Sequence, residues 1–262
     1  MPDYESLIWQ QEGHVVTITL NRPEKLNAMS RVMFEEIGDA FDRVATENDV
    51  RTVVVTGAGA AFCSGADLTD PANMVTSGLE AKDRMRMVNR SAQAVMACPK
   101  PTIARVTGVA AGAGCNLALS CDLIVATRDA RFAELFVKRG LVVDFGGSWA
   151  LSRLLPLHKA KELALLGETL SAEEADRLGL VNRLCDASEI DVVVKELTAR
   201  LAALPPRAVS AIKQNLNRAP ESSIEETLEI EAHAQALLIP SEDTREAITA
   251  WVEKREPRFT GR

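Results

Sequence analysis

Residues 105–122 read Arg-Val-Thr-Gly-Val-Ala-Ala-Gly-Ala-Gly-Cys-Asn-Leu-Ala-Leu-Ser-Cys-Asp, an apolar run that passes through Gly112-Ala113-Gly114 into a helical pattern. Small residues let a ligand approach the backbone, and the start of a helix presents unpaired N–H donors and a partial positive charge. That combination stabilises a developing oxyanion, as on a polarised carbonyl, and a phosphate would suit the same geometry. No Gly-Lys-Ser/Thr follows, and Gly108, Gly112 and Gly114 lack the dinucleotide-fingerprint spacing. A Gly/Ala turn before a helix also serves plain tight packing. The second feature is Asp144, within Gly140-Leu-Val-Val-Asp-Phe-Gly-Gly-Ser-Trp149. Apolar neighbours on both sides should desolvate its carboxylate, raise its pKa and make it a better base. Asp144 also precedes a helix start, where it could act as the N-cap.

The elements around these residues alternate. Residues 14–20 read as a strand, broken at Asn21-Arg22-Pro23, and residues 30–46 as a helix capped by Ser30, with Met33, Phe34, Ile37, Phe41 and Val44 on one face. Residues 52–56, 102–106, 123–126 and 131–133 read as strands, and 79–97 as a helix stopped by Pro99 and Pro101. This alternation indicates an α/β domain with crossover connections. From Ser171 the pattern turns helical, over 188–203, 206–216, 221–238 and 241–254.

Composition narrows the class. The 262 residues, 47% hydrophobic, suffice for a large core, and a net charge of −7 argues against a nucleic-acid partner. The five cysteines show no metal spacing and read as reduced, buried thiols. The acidic start, Met-Pro-Asp-Tyr-Glu-Ser, does not read as a targeting segment, and no apolar run reaches membrane-spanning length, so a soluble, cytoplasmic protein with no membrane partner is expected. His14, His158 and His233 lie away from the site motifs, which disfavours a histidine-based triad.

Several motifs, in order, resemble those of the enoyl-CoA hydratase/isomerase (crotonase) superfamily. They are Asn21-Arg22-Pro23-x-x-x-Asn27-Ala28, Phe62-Cys63-Ser64-Gly65-Ala66-Asp67-Leu68, Gly108-x-x-x-Gly112-Ala113-Gly114 with Cys121-Asp122, and Leu166-Gly167 through Gly179-Leu180-Val181. The resemblance implies a spiral of ββα units over residues 1–200 and a helical region, 201–262, that packs homotrimers or hexamers built as dimers of trimers. It implies an acyl-CoA thioester substrate, with coenzyme A carried as part of the substrate and no metal or separate cofactor. It also implies an oxyanion hole made by the Ala66 and Ala113 N–H groups. The same resemblance places Arg22, Lys25, Ala28, Cys63, Gly65, Asp67, Leu68, Gly112, Phe136 and Trp149 at the substrate and CoA, and Met85, Met87 and Val88 near the acyl group.

The chain departs from the family's hydratases at both glutamates, which fall on Asn116 and Phe136. Hydration needs a water held and deprotonated and a proton delivered to the α-carbon, and neither side chain can exchange protons usefully. Asn116 can still orient a carbonyl. The Asp144 block resembles the ring-epoxide and enoyl isomerases of phenylacetyl-CoA degradation. The expected function is therefore acyl-CoA isomerisation, by double-bond shift or ring-epoxide rearrangement, with Asp144 as acid/base. An enoyl-CoA hydratase and a non-catalytic acyl-CoA binder are the alternatives. Glu134, two residues before Phe136, has a pocket-facing reading as the alternative to that of a surface or interface glutamate, which is favoured; Asp67 reads as a loop brace and Asp122 as structural.

Overall fold

The computed structural model describes residues 2–71 and 75–262. Strands β1 (Leu7–Glu12) and β2 (Val15–Leu20) form an antiparallel hairpin, with Leu7 opposite Leu20. The chain then winds through helix α1 (Arg31–Thr46), strand β3 (Thr52–Gly57), helix α2 (Gly78–Ala97) and strand β4 (Thr102–Val106). Ser30 caps α1, its hydroxyl accepting from the Met33 N–H at 3.2 Å, and Met33, Phe34, Ile37, Phe41 and Val44 face the core as the 3.6-residue period requires. β3 is buried throughout, which fits Thr-Val-Val-Val-Thr-Gly in the middle of a parallel sheet.

Each later turn of the spiral gives one strand to each of two sheets. β4 is followed by β5 (Val109–Ala111) and helix α3 (Ala113–Leu119), and β6 (Leu123–Thr127) by β7 (Arg131–Ala133) and a 3-10 turn, Leu135–Arg139. Helices α4 (Gly147–Leu154) and α5 (Leu157–Leu166), strand β8 (Thr169–Ser171), helix α6 (Ala172–Arg177), strand β9 (Arg183–Cys185) and helix α7 (Ile190–Ala202) complete the core. The main sheet runs β1-β2-β3-β4-β6-β9, and β5-β7-β8 form the second. Val54, Ile103 and Val125 on one face of the main sheet pack with Ile190 and Val194 of α7, whereas Val53, Val55 and Ala104 point into the larger cluster with α1 and α3. This mixed α/β spiral is the expected fold.

Helices α8 (Pro206–Arg218), α9 (Ile224–Leu238) and α10 (Glu242–Glu253) follow. Lys213 on α8 reaches back to pair with Asp122 at 2.7 Å, and Asp122 also accepts from the Thr102 N–H at 2.8 Å. Arg51 donates to the carbonyls of Ala202 and Phe259. These bonds tie the helical region to the sheet. Among the described residues, no helix is long and apolar enough to cross a membrane.

Candidate active site

Three chain segments are laced together by main-chain hydrogen bonds at one side of the spiral. Met29 N donates to Gly65 O and Asp67 N to Met29 O, so residues 28–29 hold the loop around Ala66. Cys63 N donates to Val109 O and Ala111 N to Cys63 O, so β5 holds the same loop from the other side. Gly112 N donates to Ala133 O at 2.8 Å, anchoring the start of α3. The contact is close enough that a Cβ on Gly65, whose φ is +100°, would lie 2.9 Å from Ala111 O and 3.8 Å from the Ala113 nitrogen. Among the described residues, no main-chain hydrogen bond engages the N–H of Ala66 or of Ala113, and both residues line a cleft of about 280 Å³.

Asn27 is the pin of this arrangement. It is fully buried in the left-handed region (φ +56°), accepts from Arg22 N, and donates to the carbonyls of Ala58 and Ala61, both at 2.8 Å. Arg22 donates to Ala28 O at 2.6 Å and pairs with Asp67 at 2.9 Å. Thr69, through its hydroxyl and its N–H, and then Arg22 hold the Asp67 carboxyl down at about 2 despite its burial. Asp67 lines the cleft and braces the loop that carries Ala66. Lys25 is exposed, does not line the cleft, and donates to Thr69 Oγ1.

Asp144 forms the opposite wall of the cleft. Phe145 (φ +51°) and Gly146 (φ +76°) reverse the chain directly after it, and the fully buried Phe145 ring, 6.1 Å from that of Phe34, anchors the reversal. Consecutive left-handed residues of this kind mark a backbone held by its surroundings. Asp144 is not the cap of α4: Gly146 occupies that position, without a side-chain hydrogen bond. Among the described residues, Asp144 Oδ1 is buried without a hydrogen-bond partner. Burial pushes the carboxyl up to about 6, against the opposing charge of Arg84.

The remaining positions divide. Ala28, Gly65, Leu68, Gly112 and Phe136 line the cleft, and the Phe136 ring sits against Gly112, 3.7 Å from where a Cβ would stand. Asn116 is wholly buried and does not line the cleft; its Nδ2 donates to the main-chain oxygen of Asp144 at 2.9 Å, so it holds the Asp144 segment. Cys63 does not reach the cleft either. It is buried beneath the Ala66 loop with its thiol on Asn27 O, and burial pushes that thiol up to about 12.

Trp149 faces away from the cleft. Its indole N–H donates to Glu221 at 2.9 Å and its ring lies 4.1 Å from the Arg153 guanidinium, because Ala150 and Leu151 take the buried face of α4. Trp149→Phe should change neither kcat nor KM for an acyl-CoA by more than about twofold in steady-state assays. Met85, Met87 and Val88 pack into the core, and the α2 residue at the cleft is Arg84, one turn before Val88. Ser64, Leu135, Arg139 and Leu141 also line the cleft, and Leu135 and Arg139 lie outside every motif that the sequence singles out.

Comparison with known proteins agrees with this geometry. The enoyl-CoA hydratase/isomerase family profile matches residues 10–262. A 1,2-epoxyphenylacetyl-CoA isomerase of Escherichia coli is 37% identical, with 98% of this chain and 99% of that protein aligned. A probable enoyl-CoA hydratase of Rhodobacter capsulatus is also 37% identical, over 99% of both chains. The crystal structure of a putative enoyl-CoA hydratase from Streptomyces coelicolor superposes with a TM-score of 0.96 at 36% identity, covering 100% of this chain and 96% of that one. The laced loops, their unengaged amides and the desolvated carboxylate thus belong to a member of the enoyl-CoA hydratase/isomerase family.

Proposed function

We propose that the protein is an acyl-CoA isomerase in which Asp144 moves a proton and the Ala66 and Ala113 N–H groups hold the thioester oxygen. With a 3-enoyl-CoA, the Asp144 carboxylate takes a proton from C2. The electron pair of that C–H bond flows into the thioester carbonyl, whose oxygen becomes an enolate gripped by the two amides. The proton then returns from Asp144 to C4, leaving the double bond between C2 and C3. A ring epoxide next to the thioester-bearing carbon would open through the same enolate.

The observation that carries this reading is the distribution of proton-transfer groups. Of the two carboxylates described at the cleft, Asp67 is held down by Thr69 and Arg22 and Asp144 is pushed up by burial, whereas the two positions where the family's hydratases carry glutamates hold a phenyl ring and a buried amide. A single carboxylate suffices for isomerisation, since no water is added. Phe136 lines the cleft beside Gly112 and offers no group that could hold or deprotonate a water. Preorganised amides matter because a carboxylate cannot remove a thioester α-proton unaided, and each such donor is worth about 10²–10³ in rate. The reading calls for no metal or redox group. A homotrimer or a pair of trimers is the proposed assembly, and exposed Leu216, Leu237 and Trp251 on α8–α10 offer apolar surface for it.

The base must be ionised, so kcat/KM for isomerisation should fall on the acid side of about pH 6, by about tenfold for each further pH unit. A pH–rate profile with purified 3-enoyl-CoA tests this, and a flat profile down to about pH 4 would remove Asp144 from the role.

A further inference from the structure

A cavity of about 970 Å³ lies between the sheet and helices α8 and α9, and none of the described residues lining it lines the Asp144 cleft. His14, Arg51 and Lys100 reach it from just before β2, β3 and β4, the N-terminal edge of three adjacent parallel strands. The loops of the Asp144 cleft follow the C-terminal ends of the same strands, so the length of those strands, about 16–20 Å, separates the two sites. Helix α8 closes the cavity with its polar side: Arg207, Ser210 and Gln214, spaced at three and four residues, line it, while Ile212 and Leu216 are exposed. A cavity walled in this way is not an apolar void that stays dry. Its charge is opposite in sign to that of the chain. Arg51, Lys100, Arg207 and Arg262 line it against one side-chain carboxylate, Asp49, although the net charge of the chain is −7. Arg262 pairs with Glu242 at 3.5 Å, but among the described residues no ion pair engages Arg51, Lys100 or Arg207.

These cations are held in place by the fold. Arg51 donates to the carbonyls of Ala202 and Phe259 at 3.0 and 2.8 Å. Lys100 stands between Pro99 and Pro101, and its carbonyl accepts from Lys213 Nζ at 3.0 Å. Its own ammonium is half-buried, and among the described residues no hydrogen bond engages it. Burial pushes the Lys100 pKa down, Cys98 opposes that shift, and the Arg51 charge adds to it. Partly desolvated cations without a counter-charge are unfavourable, and an anion seated among them relieves the cost. We propose that this cavity binds a small phosphate-bearing anion, with Lys100 and Arg207 contacting the phosphate and Arg51 as a fixed positive wall. Ammonium and guanidinium groups form strong charge-assisted hydrogen bonds to phosphate oxygens. The volume lies at the upper end of the about 300–1,000 Å³ usual for small-molecule sites, which leaves room for an organic part beside the Asn48 and Asn215 amides. The inference is independent of the isomerase reading.

Calorimetric titration of the full chain in its native assembly with pyrophosphate, at constant sodium chloride, decides the matter. The wild type should bind at up to millimolar concentration, and pyrophosphate should raise its melting temperature. Lys100→Met should weaken binding by about tenfold or more, the effect of losing one hydrogen bond between charged groups. Arg207→Gln should weaken it similarly, and Lys100→Met/Arg207→Gln should abolish both the heat and the melting shift. Should Lys100→Met fail to fold, Arg207→Gln, a change at an exposed position, tests the site alone. Lys25→Gln, on the loop after β2 at the other end of the sheet, should bind as the wild type does. A wild type without heat or melting shift at millimolar pyrophosphate would overturn the proposal. Equal binding by the wild type and the double variant would do the same. A loss in Lys25→Gln as large as in Lys100→Met would move the anion to the other end of the sheet and equally refute the site.

Discussion

Asp144→Asn is expected to lower kcat for double-bond migration by about 10²–10⁴-fold, the range that positioned acid/base groups contribute. Asn has nearly the same shape and fills the same space, so the amides of Ala66 and Ala113 and the walls of the cleft should stay in place. Acyl-CoA affinity should therefore persist, and the loss should appear in kcat. The same substitution should stabilise the fold. Burial holds the Asp144 carboxyl at about 6 against an ordinary 3.8. Between those values the native state binds a proton that the unfolded chain has released. The stabilising effect of that proton is complete below about 3.8 and is lost as the pH rises through 6. At neutral pH the desolvated charge then costs about 2–3 kcal/mol, which the neutral amide avoids. Thermal melts should show the variant above the wild type at about pH 8 and near it at about pH 4. A variant that loses both activity and stability would point to a structural carboxylate.

The second large effect concerns the main-chain donors, which side-chain mutagenesis does not normally reach. Ala113 is the first residue of α3, directly after Gly112. Proline is tolerated at that position because its missing N–H has no intrahelical partner and its fixed φ suits the first turn. Gly112, with φ +54° and ψ −129°, lacks the Cβ that would crowd a following proline. Ala113→Pro should thus fold, yet lose one oxyanion donor and about 10²–10³ in kcat. Its ring methylene would also stand where the thioester oxygen binds, so KM should rise. Ala113→Ser keeps the donor and should lose far less. Equal losses in the two variants, measured with the same acyl-CoA, would mean that the amide of Ala113 is not used.

The site was legible where chemistry and local pattern coincide. The Gly112–Gly114 turn announces itself because only small residues allow the Ala66 loop so near. Asp144 stands out because an acid among Leu141, Val142, Val143 and Phe145 has no cheap solvation. Glu134 has a surface-like sequence context but is buried: it lies two residues beyond the buried Phe132, and strand alternation puts both on the same face. Arg84 likewise precedes Val88 by one helical turn. Trp149, which only the family resemblance places at the substrate, lies away from the cleft because Ala150 and Leu151 take the buried face of α4. Strand β1 escaped notice because Gln10, Gln11 and Glu12 dilute its alternation at an edge. The three-residue strands β5, β8 and β9 are too short to carry any period, and only tertiary pairing defines them. Asn27, buried with a positive φ, is visible solely through its motif.

The most direct test follows the substrate proton. A 3-enoyl-CoA is incubated with wild type and with Asp144→Asn in deuterium oxide, and the products are resolved by mass and by double-bond position. The proposed mechanism predicts 2-enoyl-CoA from the wild type, with deuterium at C4 only in turnovers where the Asp144 proton exchanges with solvent before it returns, little 3-hydroxyacyl-CoA, and neither migration nor exchange above background with Asp144→Asn. Rapid formation of 3-hydroxyacyl-CoA, or undiminished exchange in the variant, would contradict it.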